Sequence, residues 1–139
     1  QYSEKDMKQM TEEVYVPSLV GLTVSEAIEK LKAYGLKYVV EGSQAEDAVV
    51  KDQTPKADFS IPQNSTVIIY TEGSPENNMV PMPDLTNKTV DEAAAAMKNL
   101  GLNIRIRGEG MVLKQKYEPG TPLPKGEVVD VEFMLLIAD

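Results

Sequence analysis

Few side chains in this sequence stand at spacings that could do chemistry. Glu12-Glu13, Glu46-Asp47 and Asp91-Glu92 each set two carboxylates side by side, the raw material of a general acid and base or of a cation site. None falls in an Asp-x-Asp-x-Asp-Gly spacing. Asp91 and Glu92 also open a helical pattern, where negative charge meets the positive end of the helix dipole. One route to acyl transfer by serine uses an activating lysine, as in Ser-x-x-Lys, together with Ser-x-Asn and Lys-Thr-Gly elements. The nearest approach is Lys88-Thr89-Val90, in which valine replaces the glycine and the threonine has a structural use as a helix cap. No Gly-x-Gly-x-x-Gly follows a strand and opens a helix, so no nucleotide site is expected. With neither histidine nor cysteine, the chain lacks the commonest general base, the thiol nucleophile, disulfides and the usual transition-metal ligands. No catalytic residue, metal or cofactor is expected. What remains is Arg105 and Arg107, the only arginines of the chain. They stand two apart, on one face of any strand that holds them, and paired guanidinium groups can grip a carboxylate in forked geometry. The plainer reading is a solvated face on which the arginines meet a nearby Asp or Glu.

The elements that position these residues are bounded first by composition. The 139 residues carry a net charge of -8, with 42% hydrophobic and 26% charged side chains. That balance belongs to a chain that folds, and its field repels phosphate backbones and anionic head groups, so nucleic acid is not an expected partner. No run approaches the roughly 20 apolar residues of a membrane-spanning helix. The chain begins at Gln1 without a charged and apolar leader, which reads as an excised soluble piece. Absence of cysteine leaves the compartment open.

The chain repeats itself. Val16-Pro17-Ser18-Leu19 meets Met82-Pro83-Asp84-Leu85 at a shift of 66, as does Thr23-Val24-Ser25-Glu26-Ala27 on Thr89-Val90-Asp91-Glu92-Ala93. Gly35-Leu36 falls on Gly101-Leu102 and Gly42 on Gly108, after which Gln53 and Pro62 meet Gln115 and Pro124 at a shift of 62. The first copy therefore carries a four-residue loop insertion. Gly73-Ser74-Pro75-Glu76-Asn77-Asn78 is rich in turn formers and reads as an exposed linker. The expected organisation is an N-terminal linker segment over 1–15, module 1 over 16–73, a linker over 74–79 and module 2 over 80–139.

Thr23-x-x-Glu26 and Thr89-x-x-Glu92 are capping boxes, each starting a helix of about three turns. Val24, Ala27, Ile28 and Leu31, and in the second copy Val90, Ala93, Met97 and Leu100, keep one helical face apolar. Gly35 and Gly101 supply the left-handed residue that ends each helix. Beyond each glycine the period changes to two. Leu36, Tyr38 and Val40 face inward against Lys37, Val39 and Glu41, while Leu102, Ile104 and Ile106 face inward against Asn103, Arg105 and Arg107. Further strands are expected near Val49 to Gln53, Met111 to Gln115, Thr66 to Thr71 and Val128 to Phe133, with Asn64 standing in for glycine in a left-handed turn. The apolar tail Phe133-Met134-Leu135-Leu136-Ile137 is expected to extend the last strand and pack against protein. The fold class is α+β: two tandem small modules, each one α-helix packed on a three-stranded antiparallel sheet with a short N-terminal strand.

The spelling Val-Pro-x-Leu-x-Gly-Leu-Thr-x-x-Glu-Ala, then Gly-Leu, Gln-x-Pro and a Gly-x-x-Val strand, resembles the PASTA repeat. The second copy departs at Thr86-Asn87-Lys88 and lacks the proline of Pro55. The resemblance implies an extracytoplasmic bacterial module found in class B penicillin-binding proteins and in membrane serine/threonine kinases. Gln1-Tyr2-Ser3-Glu4-Lys5-Asp6-Met7 looks like the segment leaving the transpeptidase domain of sporulation-type penicillin-binding proteins, and the two repeats with an ending at Asp139 lean the same way. The reading is a non-catalytic region that recognises or positions peptidoglycan beside a transpeptidase. Its expected partners are peptidoglycan or a muropeptide, bound weakly, and the transpeptidase domain of the same chain. The parent is expected to be membrane-anchored at the bacterial surface or forespore envelope. The alternatives are the muropeptide-sensing ectodomain of a PASTA kinase and a purely structural spacer. Because peptidoglycan stem peptides are rich in carboxylates, Arg105 and Arg107 are the expected ligand contact.

Overall fold

Two threonines set the frame of this computed structural model, which describes residues 12–74 and 78–135 and divides into a unit over Gln1–Asn78 and another over Met79–Asp139. Thr23 is extended and its hydroxyl accepts from the Glu26 amide at 3.2 Å, while the Glu26 carboxylate accepts from the Thr23 amide at 3.0 Å. Thr89 and Glu92 repeat the exchange at 3.3 and 3.0 Å. Two amides that a helix start leaves orphaned are thereby satisfied. The helices that follow are α1, Val24–Ala33, and α2, Val90–Asn99. Each stops at a left-handed glycine, Gly35 at φ 73° and Gly101 at φ 78°. The Leu36 amide donates to the Leu31 carbonyl at 3.0 Å and Leu102 to Met97 at 2.9 Å. These are Schellman closures in which the residue past the glycine packs back on the helix.

In the first unit β2, Lys37–Glu41, β5, Thr66–Tyr70, and β3, Asp52–Thr54, form a sheet in the order β2-β5-β3. In the second, β7, Asn103–Gly108, β10, Val128–Met134, and β8, Met111–Gln115, repeat it as β7-β10-β8. Each unit is α+β, with one helix and a three-stranded sheet, as the sequence predicts. The sense of one strand pair departs from the expected antiparallel sheet. β5 runs antiparallel to β3 but parallel to β2, and β10 runs antiparallel to β8 but parallel to β7. Alternation along a strand fixes its inward face and carries no information about its direction. The direction follows from the chain reversing twice between the first strand and the central one.

A short N-terminal strand pairs outside this sheet in both units. β1, Glu13–Tyr15, runs antiparallel to β4, Ser60–Pro62, and β6, Met79–Pro81, to β9, Pro122–Pro124. β1 and Met79 fall inside stretches read from sequence as linker, and residues 1–11 lie outside the described residues. Asn64 has φ 70° and its counterpart Gly126 has φ 91°, so asparagine does take the glycine's place. The last strand reaches Met134, and Leu135 beyond it is exposed. Leu136 and Ile137 lie outside the described residues.

The second core gathers Met82, Leu85, Ala93, Met97, Leu102, Leu123, Val129, Val131 and Phe133, with Ile104 and Ile106 half-buried against it. In the first unit Val16, Leu19, Ala27, Leu31, Leu36, Val67 and Ile69 are buried. Tyr38, assigned inward, keeps 38% of its surface. Burial concentrates on the central strand because an edge strand has a neighbour on one side alone. Asn103, assigned outward, is buried instead, and its amide donates to the Gly126 carbonyl at 2.8 Å.

Candidate binding face of the second module

Arg105 and Arg107 project from β7 on the side away from α2, alternating with Ile104 and Ile106. The parallel register places Asp130 of β10 against Arg105 and Glu132 against Arg107, and Lys114 of β8 stands opposite Glu132 on the other edge. Three cations thus flank two carboxylates on one sheet face. The Arg105 Nη1 donates to Asp130 Oδ1 at 2.8 Å, and the Arg107 Nε donates to Asp130 Oδ2 at 3.4 Å. The side chains of Arg105 and Asp130 are 22% and 33% exposed, against 57% for Arg107. Burial pushes the Asp130 carboxyl pKa up, but the Arg105 hydrogen bond and charge, joined by Arg107, outweigh it and hold the carboxyl below its ordinary value.

The sequence brought the two arginines to one face, and the structure adds the carboxylate between them. The arrangement is a carboxylate clamp closed by the chain itself. Arg105 is fixed by it, whereas Arg107 keeps a long contact and a largely exposed guanidinium. The corresponding face of the first unit has another chemistry: Val39 and Glu41 replace the arginines, and Ile68, buried, replaces Asp130.

Two of the acidic pairs have side chains in structural use: Asp91 and Glu92 open α2, and the Glu13 carboxylate accepts from the Ser60 hydroxyl at 3.2 Å. In the third pair it is the backbone carbonyl of Glu46 that accepts from the Ser25 amide at 3.1 Å over the start of α1. Among the described residues no group of three or more Asp or Glu could hold a metal ion, and no helix is long and apolar enough to cross a membrane.

Two residues whose roles the sequence did not reveal are Gln53 and Gln115. Gln53 is 2% exposed. Its side-chain oxygen accepts from the Leu19 amide at 2.8 Å, and its amide group donates to the Pro17 and Pro55 carbonyls at 3.0 and 3.1 Å. Gln115 makes the same three bonds, to Leu85, Pro83 and Tyr117, at 3.0, 3.1 and 2.7 Å. Each glutamine ties the segment before its helix to the turn after the second sheet strand. The recurrence of glutamine in the repeat was the available signal.

The PASTA domain family model matches residues 14–73 and 80–133. The chain is 30% identical over 128 residues to the probable serine/threonine-protein kinase PknB of Corynebacterium glutamicum, covering 84% of this chain and 20% of that protein. It therefore spans about a fifth of that relative. Similar solved structures include two that differ in kind. One is the three-PASTA-domain region of a Ser/Thr kinase from Staphylococcus aureus, with a TM-score of 0.39, 23% identity and coverage of 88% of this chain and 65% of that one. The other is penicillin-binding protein 2X from Streptococcus thermophilus, with a TM-score of 0.39, 19% identity and coverage of 88% of this chain and 17% of that one.

Proposed function

The chain belongs to the PASTA domain family, and from that premise we propose that this tandem is a non-catalytic region that recognises peptidoglycan and positions a membrane-anchored protein on it, outside the cytoplasm. The observation carrying the proposal is the clamp on the second sheet, where Arg105 and Arg107 converge on one carboxylate. Such a face offers forked donors to the carboxylates of a muropeptide stem, with Asp130 as the internal competitor that keeps binding weak. Titration of a muropeptide into the isotope-labelled protein should move backbone amides of β7 and β10, and an Arg105→Ala, Arg107→Ala double variant should abolish those shifts. Shifts of equal size in both proteins would remove the arginines from the site.

For the parent we propose a class B penicillin-binding protein of the sporulation type, similar to stage V sporulation protein D, whose upstream transpeptidase domain does the chemistry and contacts the tandem. Gln1 to Met7 support this reading by their resemblance to the segment leaving such a domain. The kinase-ectodomain reading is favoured by a different observation, the 30% identity to PknB of Corynebacterium glutamicum. The full-length gene decides between them. A Ser-x-x-Lys element followed by Lys-Thr/Ser-Gly upstream of Gln1 is the expected finding, and a kinase domain joined through one membrane helix would overturn it.

A further inference from the structure

We infer that the open edge of β7 is a strand-addition site for an extended protein segment of acidic–apolar–acidic pattern. β7 is the edge strand of its sheet and runs through six residues, Asn103–Gly108. Its counterpart β2 is the edge strand of the first sheet, but there the inserted loop returns and the Gln44 amide donates to the Val40 carbonyl at 2.8 Å, occupying a backbone group of that strand. The second module lacks the four inserted residues, and Gly108-Glu109-Gly110 turns directly into β8. An edge strand left in this state presents a row of backbone donors and acceptors that a further strand can satisfy.

The strand already paired with β7 shows what chemistry it accepts. β10 brings Asp130 to Arg105, Val131 to Ile106 and Glu132 to Arg107. Viewed from its other edge β7 is the same strand, with half-buried isoleucines toward α2 and guanidinium groups on the opposite face. A segment adding there meets the same alternation, so carboxylates at every second position and an apolar residue between them complement it. Arg107, 57% exposed and held at 3.4 Å from Asp130, can swing toward an added carboxylate at the smallest loss. In a chain of net charge -8 this face is a local excess of cations, which favours an acidic partner, whereas a second copy pairing through its own β7 edge would set arginines against arginines.

The test uses the whole chain and the synthetic heptapeptide Thr-Val-Asp-Val-Glu-Val-Thr, with a second peptide carrying lysine at both acidic positions. The acidic peptide should slow exchange of alternate amides between Ile104 and Gly108 and bind several-fold more weakly at high salt. The lysine peptide should leave those amides unprotected, and Arg107→Glu should reverse the preference between the two peptides. Protection along Met111–Gln115 or within the first module would overturn the inference, as would unchanged exchange along β7. Protection of β7 that rises with protein concentration without peptide would assign the edge to a second copy and overturn the proposed partner. The readout is separate from muropeptide binding: shifts with muropeptide and no amide protection by peptide would sink this inference alone.

Discussion

Module 1 and module 2 agree at the residues that start and end each helix and tie it to the sheet, and they disagree most where residues face outward from the sheet. Capping boxes, the helix-ending glycines Gly35 and Gly101, and the bridging glutamines Gln53 and Gln115 coincide residue for residue. On the outer face Val39, Ile68 and Glu41 stand where module 2 has Arg105, Asp130 and Arg107. Charge divides in the same way. Residues 12–78 hold eleven acidic and five basic side chains, and residues 79–139 hold nine and seven. The framework is constrained by geometry that both copies must satisfy, so the two copies are free to differ in what each face contacts. Module 2 carries the ionic face, and the proposed ligand contacts are placed there for that reason.

The strongest test of the shared framework removes the glutamine from one module at a time. Gln53→Ala leaves the Leu19 amide and the Pro17 and Pro55 carbonyls without partners in a buried place, and module 1 should lose about 3 kcal/mol. Gln115→Ala should cost module 2 less, about 2 kcal/mol, because Gln115 is only partly buried and water can reach its partners. Denaturant unfolding followed by residue-resolved amide signals separates the modules. Equal losses would show that burial of the glutamine does not set its value.

Most of the framework was legible in the sequence because its signals are local. A threonine three residues before a glutamate starts a helix, and a glycine in the left-handed region ends it, without reference to the rest of the chain. The parallel pairing of β7 with β10 was not legible, since it depends on the path of the chain between Gly108 and Val128. The site divides the same way. Arg105 and Arg107 were placed on one face by their spacing of two, but Asp130 joins them through a register spanning 25 residues. Asn103 was misassigned because alternation marks the side of the strand and not the carbonyl of Gly126 waiting there. Gln53 and Gln115 were visible only as recurring residues at the ends of two expected strands, since two of the three partners of each lie 30 or more residues away.

The inserted loop offers an intermediate test of the difference between modules. In module 1 the Ala48 and Glu46 carbonyls accept from the Val24 and Ser25 amides at 2.8 and 3.1 Å, and the Thr71 hydroxyl donates to the Ser43 carbonyl at 2.8 Å. Deleting Ser43 to Glu46 gives module 1 the loop length of module 2. The deletion needs Ala48→Gly as well, because the matching Gly110 has φ 100° and a Cβ there would lie 2.3 Å from the Met134 carbonyl oxygen. The shortened module 1 should lose about 2 kcal/mol through the helix-start and Thr71 bonds, with module 2 unchanged. Thermal unfolding of the variant checks this, and an unshifted first transition would show that the loop serves no stabilising purpose.

The smallest effect concerns acid. The Asp130 pKa is lowered in the folded state, so its contribution to module 2 is fully present above the ordinary Asp value of about 3.9 and is lost as pH falls through the lower folded value. Asp130→Asn removes that charge while keeping the side chain's size. At neutral pH the variant should be less stable in module 2 by about 1 kcal/mol, a figure held down by solvent screening of a pair that is partly exposed. As pH falls through the lowered folded value, where Asp130 of the folded wild-type protein takes up its proton, the two proteins should converge. Module 1 has Ile68 at this place, so its transition should be the same in both proteins at every pH. Unfolding midpoints of each module, followed from neutral pH to well below the Asp range, distinguish the outcomes. A gap that persists undiminished in acid would mean that Asp130 acts by packing, and the clamp would then lose its claim to hold the arginines by charge.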